Sequence, residues 1–277
     1  MLAAMPDQRT VLTTGVNSGI GLATVVELAR RGHRSVGSVR STAKARQVHE
    51  AAREADVEVE TVLLDVTDAA ACKRVIEQVR PEVLVNNAGF SSTGAIEDVE
   101  DREARLAMET MVFAPMRLAR LAIPHMRERG WGRIVNVSSI YGRTTTPLTG
   151  WYQASKHALE ALSDALRVEV ASSGIGVVLV EPGGFRTGIW DSAQSEIDRF
   201  DGSRYGTAYR RSMQGVRLTG PLMGRPETVA RVIAGAIAAR RPPARRLVGY
   251  DAQAVMMYDR VMPTGLRDRL TRIALGL

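Results

Sequence analysis

Short apolar runs alternate with helical patterns along this chain, and that alternation limits its fold more than any single motif does. The runs fall near residues 10–14, 35–39, 57–64, 82–86, 132–138 and 175–181, and a helical pattern follows each. Strands separated by helices predict a parallel sheet covered on both faces, a Rossmann-type doubly wound α/β domain. After a helix from Pro226 to about Arg240, Arg246-Leu-Val-Gly249 reads as one more edge strand. In such sheets ligands bind beyond the carboxyl ends of the strands, so residues just past those ends are where chemistry is expected.

The first strand, Thr10-Val-Leu-Thr-Thr14, runs into Gly15-Val-Asn17-Ser18-Gly19-Ile20-Gly21 and then a helix from Leu22 to Arg31. Gly15 permits a tight turn, Gly19 lets backbone approach a pyrophosphate, and Gly21 lets helix and strand pack closely. The N–H groups at the helix start, including those near Asn17, Ser18 and Ile20, favour phosphate. The spacing is Gly-x-x-x-Gly-x-Gly, not the commoner Gly-x-Gly-x-x-Gly, and a glycine turn also ends strands for structural reasons alone. Nucleotide preference is read after the second strand. A carboxylate there would hold the ribose hydroxyls of NAD, whereas an arginine suits a 2′-phosphate. No Asp or Glu lies between His33 and Ala43, and Arg40 stands at the strand end. The expectation is NADP(H) over NAD(H), the alternative for Arg40 being a solvated surface residue.

Further on, Tyr152 and Lys156 sit four residues apart on a helical pattern, thirteen and seventeen residues after Ser139. Positions i and i+4 share a helix face, so phenol and ammonium project side by side. A cation beside a phenol favours the phenolate, and a nearby serine can hold a substrate oxygen against it. That is the outline of an acid/base site for alcohol and carbonyl chemistry.

Thr14-Gly15-x-x-x-Gly19-x-Gly21, Asn86-Asn87-Ala88-Gly89, Ser139, Tyr152-x-x-x-Lys156 and Pro182-Gly183 stand in one order along the chain. In this the sequence resembles the short-chain dehydrogenase/reductase family, over roughly residues 8–190 and more loosely to about 250. The resemblance implies that Tyr152 is the general acid/base and that Lys156 lowers its pKa and holds the nicotinamide ribose. It makes Ser139 the residue that orients the substrate oxygen, with Ser138 ranked second. It places Asp65, with Val66 beside it, near the adenine amine, and Asn87, Ala88 and Gly89 along the adenine ribose. Pro182 and Gly183 fall at the nicotinamide end, where Thr187 meets the carboxamide. Plainer readings stand beside these: Asp65 as a helix cap, Asn87-Ala88-Gly89 as a turn, Pro182-Gly183 as a strand terminator, Thr187 as a loop residue. One departure is Met111, which falls where the family usually places an asparagine that supports a proton relay. A thioether donates no hydrogen bond, although the Met111 carbonyl can hold a water. The expectation is a slowed or rerouted relay, with core packing as the other role for Met111.

The 277 residues show no linker, repeat or charge block, which favours one domain over 1–277. A single cysteine, Cys72, excludes an intrachain disulfide. No apolar stretch of signal-peptide or membrane-span length occurs, so a cytoplasmic protein is expected. The formal charge of +7 invites a nucleic-acid reading. However, the arginines alternate with acids, and aromatics, at 5%, do not interleave with basic clusters. His33, His49, His125 and His157 make no metal-spaced pair, so no metal site is expected.

Residues 184–225 break the rhythm, and a long insertion at the ligand edge reads as a substrate lid. Its Phe185, Trp190, Phe200, Tyr205 and Tyr209 suggest an apolar or ring-containing substrate. The tail, 251–277, reads as amphipathic helix interrupted at Pro263. It packs on its own domain, forms a homo-oligomer interface, or lies on a membrane surface. The function expected is NADP(H)-dependent interconversion of a secondary alcohol and a ketone or aldehyde. The resemblance points toward members acting on steroids, retinoids or polyketide-like rings. A non-catalytic NADP(H)-binding regulator, with Met111 marking a lost activity, and an epimerase or dehydratase of related fold are the rivals.

Overall fold

The structure is a computed structural model that describes residues 8–186, 199–200 and 202–277. Seven parallel strands form one sheet: β1 (Thr10–Thr14), β2 (Arg34–Val39), β3 (Glu60–Leu63), β4 (Val83–Asn86), β5 (Gly132–Val137), β6 (Ile175–Pro182) and β7 (Arg245–Val248). Their order across the sheet is β3-β2-β1-β4-β5-β6-β7. The order reverses at β1, which pairs with both β2 and β4, and this opens a crevice at the carboxyl ends of β1 and β4. Every residue of β4 and β5 is buried. Strands covered on both faces read as continuous apolar runs without alternation, and these do.

The helices are α1 (Gly19–Arg30), α2 (Thr42–Glu54), α3 (Ala69–Val79), α4 (Asp101–Met108), α5 (Ala114–Glu128), α6 (Gly150–Glu169), α7 (Gly206–Thr219), α8 (Pro226–Ala238), α9 (Tyr250–Val261) and α10 (Thr264–Leu275). One face of the sheet is covered by α3, α5 and α6, with Leu12, Val75, Leu84, Leu118 and Ile134 packed between. The other is covered by α1 and α8 through Leu28, Val229 and Ile233, while α2 closes on α1 through Val25 and Val48. A π turn, Glu109–Phe113, joins α4 to α5 without a break. Burying this much apolar surface is the main favourable term in folding.

The fold agrees with the alternation read from sequence, and the differences are local. β3 starts at Glu60 and not near residue 57, because Val57 and Val59 leave the ladder to pack against α2. The tail breaks at Pro263 as expected: its fixed φ, −60°, starts α10 after α9 has ended. The aromatic residues expected to face a substrate mostly do not. Tyr209 is buried, donates to Asp98 Oδ2 at 2.7 Å, accepts from the Ala95 N–H at 2.7 Å, and stacks on Phe200 at 5.3 Å. Phe185 is buried in the α1–α8 core. A polar handle lets tyrosine settle inside when partners exist, so aromatic content in that segment reports packing. Trp190 and Thr187 lie outside the described residues.

Candidate active site

The loop between β1 and α1 is shaped by steric necessity. Gly15 has φ +69°, and a Cβ there would come within 2.8 Å of Ala88 Cα. A Cβ on Gly21 would collide with the Gly15 carbonyl oxygen and lie 2.5 Å from Asn87 Nδ2. The same amide donates to the carbonyls of Thr14 at 2.9 Å and Gly15 at 3.0 Å. The Thr14 hydroxyl accepts from the N–H groups of Asn87 and Ala88, both at 3.0 Å. Thus β1's end and β4's end are stitched into one floor, with Asn87, Ala88 and Gly89 bordering it. At the start of α1, Ser18 is extended and makes no side-chain cap, and Asn17 makes only a 3.5 Å bond to the Ser18 hydroxyl. Ile20 packs inward on the core. Uncapped N–H groups, a positive helix end and glycine walls fit a dinucleotide's pyrophosphate.

Arg40 follows β2 and is exposed, and its charge helps hold the Asp65 carboxyl below its usual range. The larger cause is Thr67, whose N–H and hydroxyl donate to Asp65 Oδ1 at 3.0 and 2.7 Å. The cap of α3 is Asp68, which accepts from Ala70 and Ala71 N–H groups. Asp65 therefore does not cap a helix, and its second oxygen is left for another partner. Val66 is buried beside it and its carbonyl accepts from Arg117 at 3.1 Å.

At the carboxyl ends of β5 and β6 the structure brings Ser139, Tyr152 and Lys156 together. Ser139 and Lys156 are buried and Tyr152 is partly exposed. Burial pushes the Tyr152 phenol up to about 12; a hydrogen bond with Ser139 pulls the other way, and Tyr141 adds to the rise. The Tyr141 ring meets the Tyr152 ring edge-on, 6.3 Å between centroids. Lys156 Nζ donates to the Val137 carbonyl at 2.9 Å and sits 5.6 Å from the Tyr152 ring centroid. Burial brings the ammonium down to about 8, while the Glu160 carboxylate one helical turn on raises it. Lys156 donates to backbone while lying over the Tyr152 ring, and burial is the largest cause of the Tyr152 rise. Ser138 points elsewhere: its N–H donates to Val180, and its buried hydroxyl has no protein partner.

Met111 lies in the π turn, buried, with its thioether accepting from the Ser155 hydroxyl at 3.8 Å. Core packing is therefore realised there, and the widened turn loosens the backbone hydrogen-bond pattern around its carbonyl. Pro182 ends β6 and Gly183 donates to the Val248 carbonyl at 2.9 Å. Asp251, at the start of α9, accepts from the Gly184 N–H and fills the space beside Gly183.

Sequence reasoning gave no role to several residues that hold this arrangement. Asn86 Nδ2 donates to Asn136 Oδ1 and Asn136 Nδ2 to the Ser163 hydroxyl, both at 2.8 Å, which fixes α6 against β4 and β5. Asparagines inside apolar strands were the available signal, since a buried amide needs partners. Beneath Lys156, Arg245 Nε reaches Glu160 Oε2 at 3.0 Å and Glu181 Oε1 at 3.1 Å, and Asp164 joins at 2.6 Å. Burial and the neighbouring Glu160 raise the Glu181 pKa against Arg143 and Arg245. A groove of about 580 Å³ lies between α6 and α10, lined by Thr146, Gln153, His157, Arg267, Thr271 and Arg272 among others. His157 lines this groove from α6, beside Gln153 and Ala154. Among the described residues no cluster of His, Cys, Asp or Glu could hold a metal, and no helix is long and apolar enough to cross a membrane.

The short chain dehydrogenase family model matches residues 9–198. The chain is 32% identical over 244 residues to the 3-ketodihydrosphingosine reductase of Bacteroides thetaiotaomicron, covering 86% of this chain and 87% of that one. It is 32% identical over 270 residues to the NADPH-dependent 3-dehydrocapnine reductase of Ornithobacterium rhinotracheale, covering 92% and 94%. Among solved structures, a short-chain dehydrogenase from Streptomyces avermitilis shares 33% identity with TM-score 0.77, covering 96% of each chain. One from Burkholderia phymatum, in complex with NAD, shares 25% with TM-score 0.78, covering 94% of each. Sheet order, glycine floor and sequence likeness agree: the chain is an oxidoreductase that belongs to the short-chain dehydrogenase family.

Proposed function

We propose that this protein uses NADP(H) to interconvert a ketone or aldehyde and a secondary alcohol on an apolar substrate. The observation that carries the reading is the hydrogen-bonded Ser139–Tyr152 pair beside the buried Lys156, at the same sheet edge as the glycine floor. The bound cofactor supplies or accepts a hydride. In reduction, Ser139 holds the substrate oxygen by donating its hydroxyl hydrogen, and Tyr152 delivers the proton to that oxygen. Lys156 leaves the Val137 carbonyl to hold the nicotinamide ribose and to steady the phenolate that Tyr152 becomes. Gly15, Asn17, Ser18, Gly19, Ile20 and Gly21 receive the pyrophosphate, largely through backbone. Asp65 and Val66 border the adenine, Asn87, Ala88 and Gly89 its ribose, and Pro182, Gly183 and Thr187 the nicotinamide. Residues 184–225 form the substrate lid.

Arg40 supports NADP(H) over NAD(H): it is exposed at the end of β2, and no acid precedes it there. A second copy of the chain is a fitting partner, since Leu106, Phe113 and Leu162 are exposed along α4, the π turn and α6. A binding-only regulator draws on Met111, whose side chain is committed to packing. The test measures NADPH and NADH oxidation against a panel of apolar ketones, with Arg40→Asp alongside. Turnover with NADPH preferred, and NADPH affinity about tenfold weaker in the variant, supports the reading. Equal use of both cofactors, or unchanged affinity in the variant, removes the nucleotide assignment. Binding without turnover on every ketone favours the regulator.

A further inference from the structure

The last two helices turn apolar side chains outward. In α9, Tyr250, Ala254, Met257 and Val261 recur at i, i+4, i+7 and i+11, a spacing that makes one stripe. Tyr250 is 92% exposed and Val261 67%, while Ala252 on the opposite side is buried. In α10, Leu266, Leu270 and Ile273 repeat the pattern, with Ile273 64% exposed, and the more covered Thr271 and Leu275 lie on the far side. A helix on a soluble domain ordinarily buries its apolar stripe. Here each helix is anchored by its other face and the stripe is the outermost part.

Charge completes the pattern. Arg269 flanks the α10 stripe and Arg260 that of α9, both exposed, while Arg267 turns to the groove beside α6. Helix α7 joins the same surface, since Arg211 donates to the carbonyls of Ile273 and Ala274, and it adds Leu218, 79% exposed. Across α7 and residues 250–277 the sequence holds seven arginines and three aspartates, and one of those aspartates, Asp259, is paired with Arg267. An apolar ridge bordered by arginines suits a bilayer interface: the ridge enters the acyl boundary and the guanidinium groups meet phosphate. A second copy suits it less, because a two-fold contact would set an arginine-rich surface against itself. The surface also adjoins the ligand edge. Asp251, in the first turn of α9, accepts from the Gly184 N–H just past the end of β6.

We propose that the outward faces of α9 and α10 dock the protein on a membrane bearing anionic headgroups. This goes beyond the oxidoreductase reading and stands without it. The experiment is co-sedimentation of the full chain with vesicles of phosphatidylcholine alone, or with about three parts phosphatidylglycerol to seven. The wild type is expected to partition at least about tenfold more strongly to the anionic vesicles, and salt should weaken that binding. The double variant Leu270→Glu with Ile273→Glu loses that partition about tenfold, and Arg269→Glu loses severalfold, each with an unchanged circular-dichroism melting temperature. Equal, weak sedimentation with both vesicle types overturns the proposal. So does a double variant that dissociates a wild-type oligomer in light scattering while vesicle binding is unchanged, which assigns the face to a second copy. Ketone turnover, measured in the same samples, reports separately on the reductase reading.

Discussion

Around Gly15 and Gly21 the ligand edge is backbone packed so closely that no side chain fits; around Tyr152 and Lys156 it is buried polar side chains held by hydrogen bonds. The first region is specified by what must be absent. A Cβ on Gly15 or Gly21 would strike the β4 end or the loop itself, so the residue types are forced by geometry. The second is specified by what must be paired. Lys156 donates to a carbonyl in a buried site, where burial lowers its pKa and the Glu160 carboxylate raises it. Steric specification tolerates pH and salt but not a methyl group. Electrostatic specification tolerates small changes of shape but not a change of protonation.

That contrast predicts different failures. The largest is expected for Lys156→Ala, which removes the buried cation: kcat for ketone reduction should fall by about a thousandfold while the fold persists. A fall under tenfold would mean that the ammonium does not serve the reaction. Gly21→Ala should act on the other region. Its new Cβ meets the Gly15 carbonyl and the Asn87 amide, so the protein should lose about 1–3 kcal/mol of stability and bind NADPH more than about tenfold less tightly. Urea unfolding and fluorescence titration read both, and an unchanged titration would show that the loop relaxes freely.

A smaller effect separates the regions by pH. Burial holds the Lys156 pKa down to about 8, so its charged fraction drops as pH rises through that value, while Tyr152, raised to about 12, keeps its proton. The kcat/KM for reduction should therefore fall above pH 8, approaching about tenfold per unit, and NADPH affinity should fall far less. A flat profile to pH 10 would mean that Lys156 keeps its proton or is not needed.

Much of the fold was legible because several strands are apolar runs that end in a glycine, proline or small polar residue, as at Gly15, Ser138 and Pro182. The proposed trio was legible because Tyr152 and Lys156 share a helix face whatever the tertiary structure. What escaped depends on contacts distant in sequence. Tyr209 reads as a loop aromatic until Asp98 and the Ala95 N–H, more than a hundred residues earlier, are seen to hold it. The Asn86–Asn136–Ser163 chain joins two strands and a helix, and no local spacing announces it. The direction of the Tyr152 shift also escaped, because desolvation is a property of the packed site and not of the Tyr-x-x-x-Lys spacing. The outward stripes of α9 and α10 were visible as amphipathic pattern, but which side faces out is set by how the tail seats on α6 and α7.

The most direct measurement is a single-turnover reaction of the NADPH-loaded protein with its best ketone, wild type against Tyr152→Phe. The account predicts that the variant binds NADPH within about twofold of wild type. It also predicts that cofactor oxidation slows about a thousandfold, because only the proton donor is gone. A variant that oxidises NADPH at the wild-type rate would contradict the assignment of Tyr152, and with it the reaction site at the ends of β5 and β6.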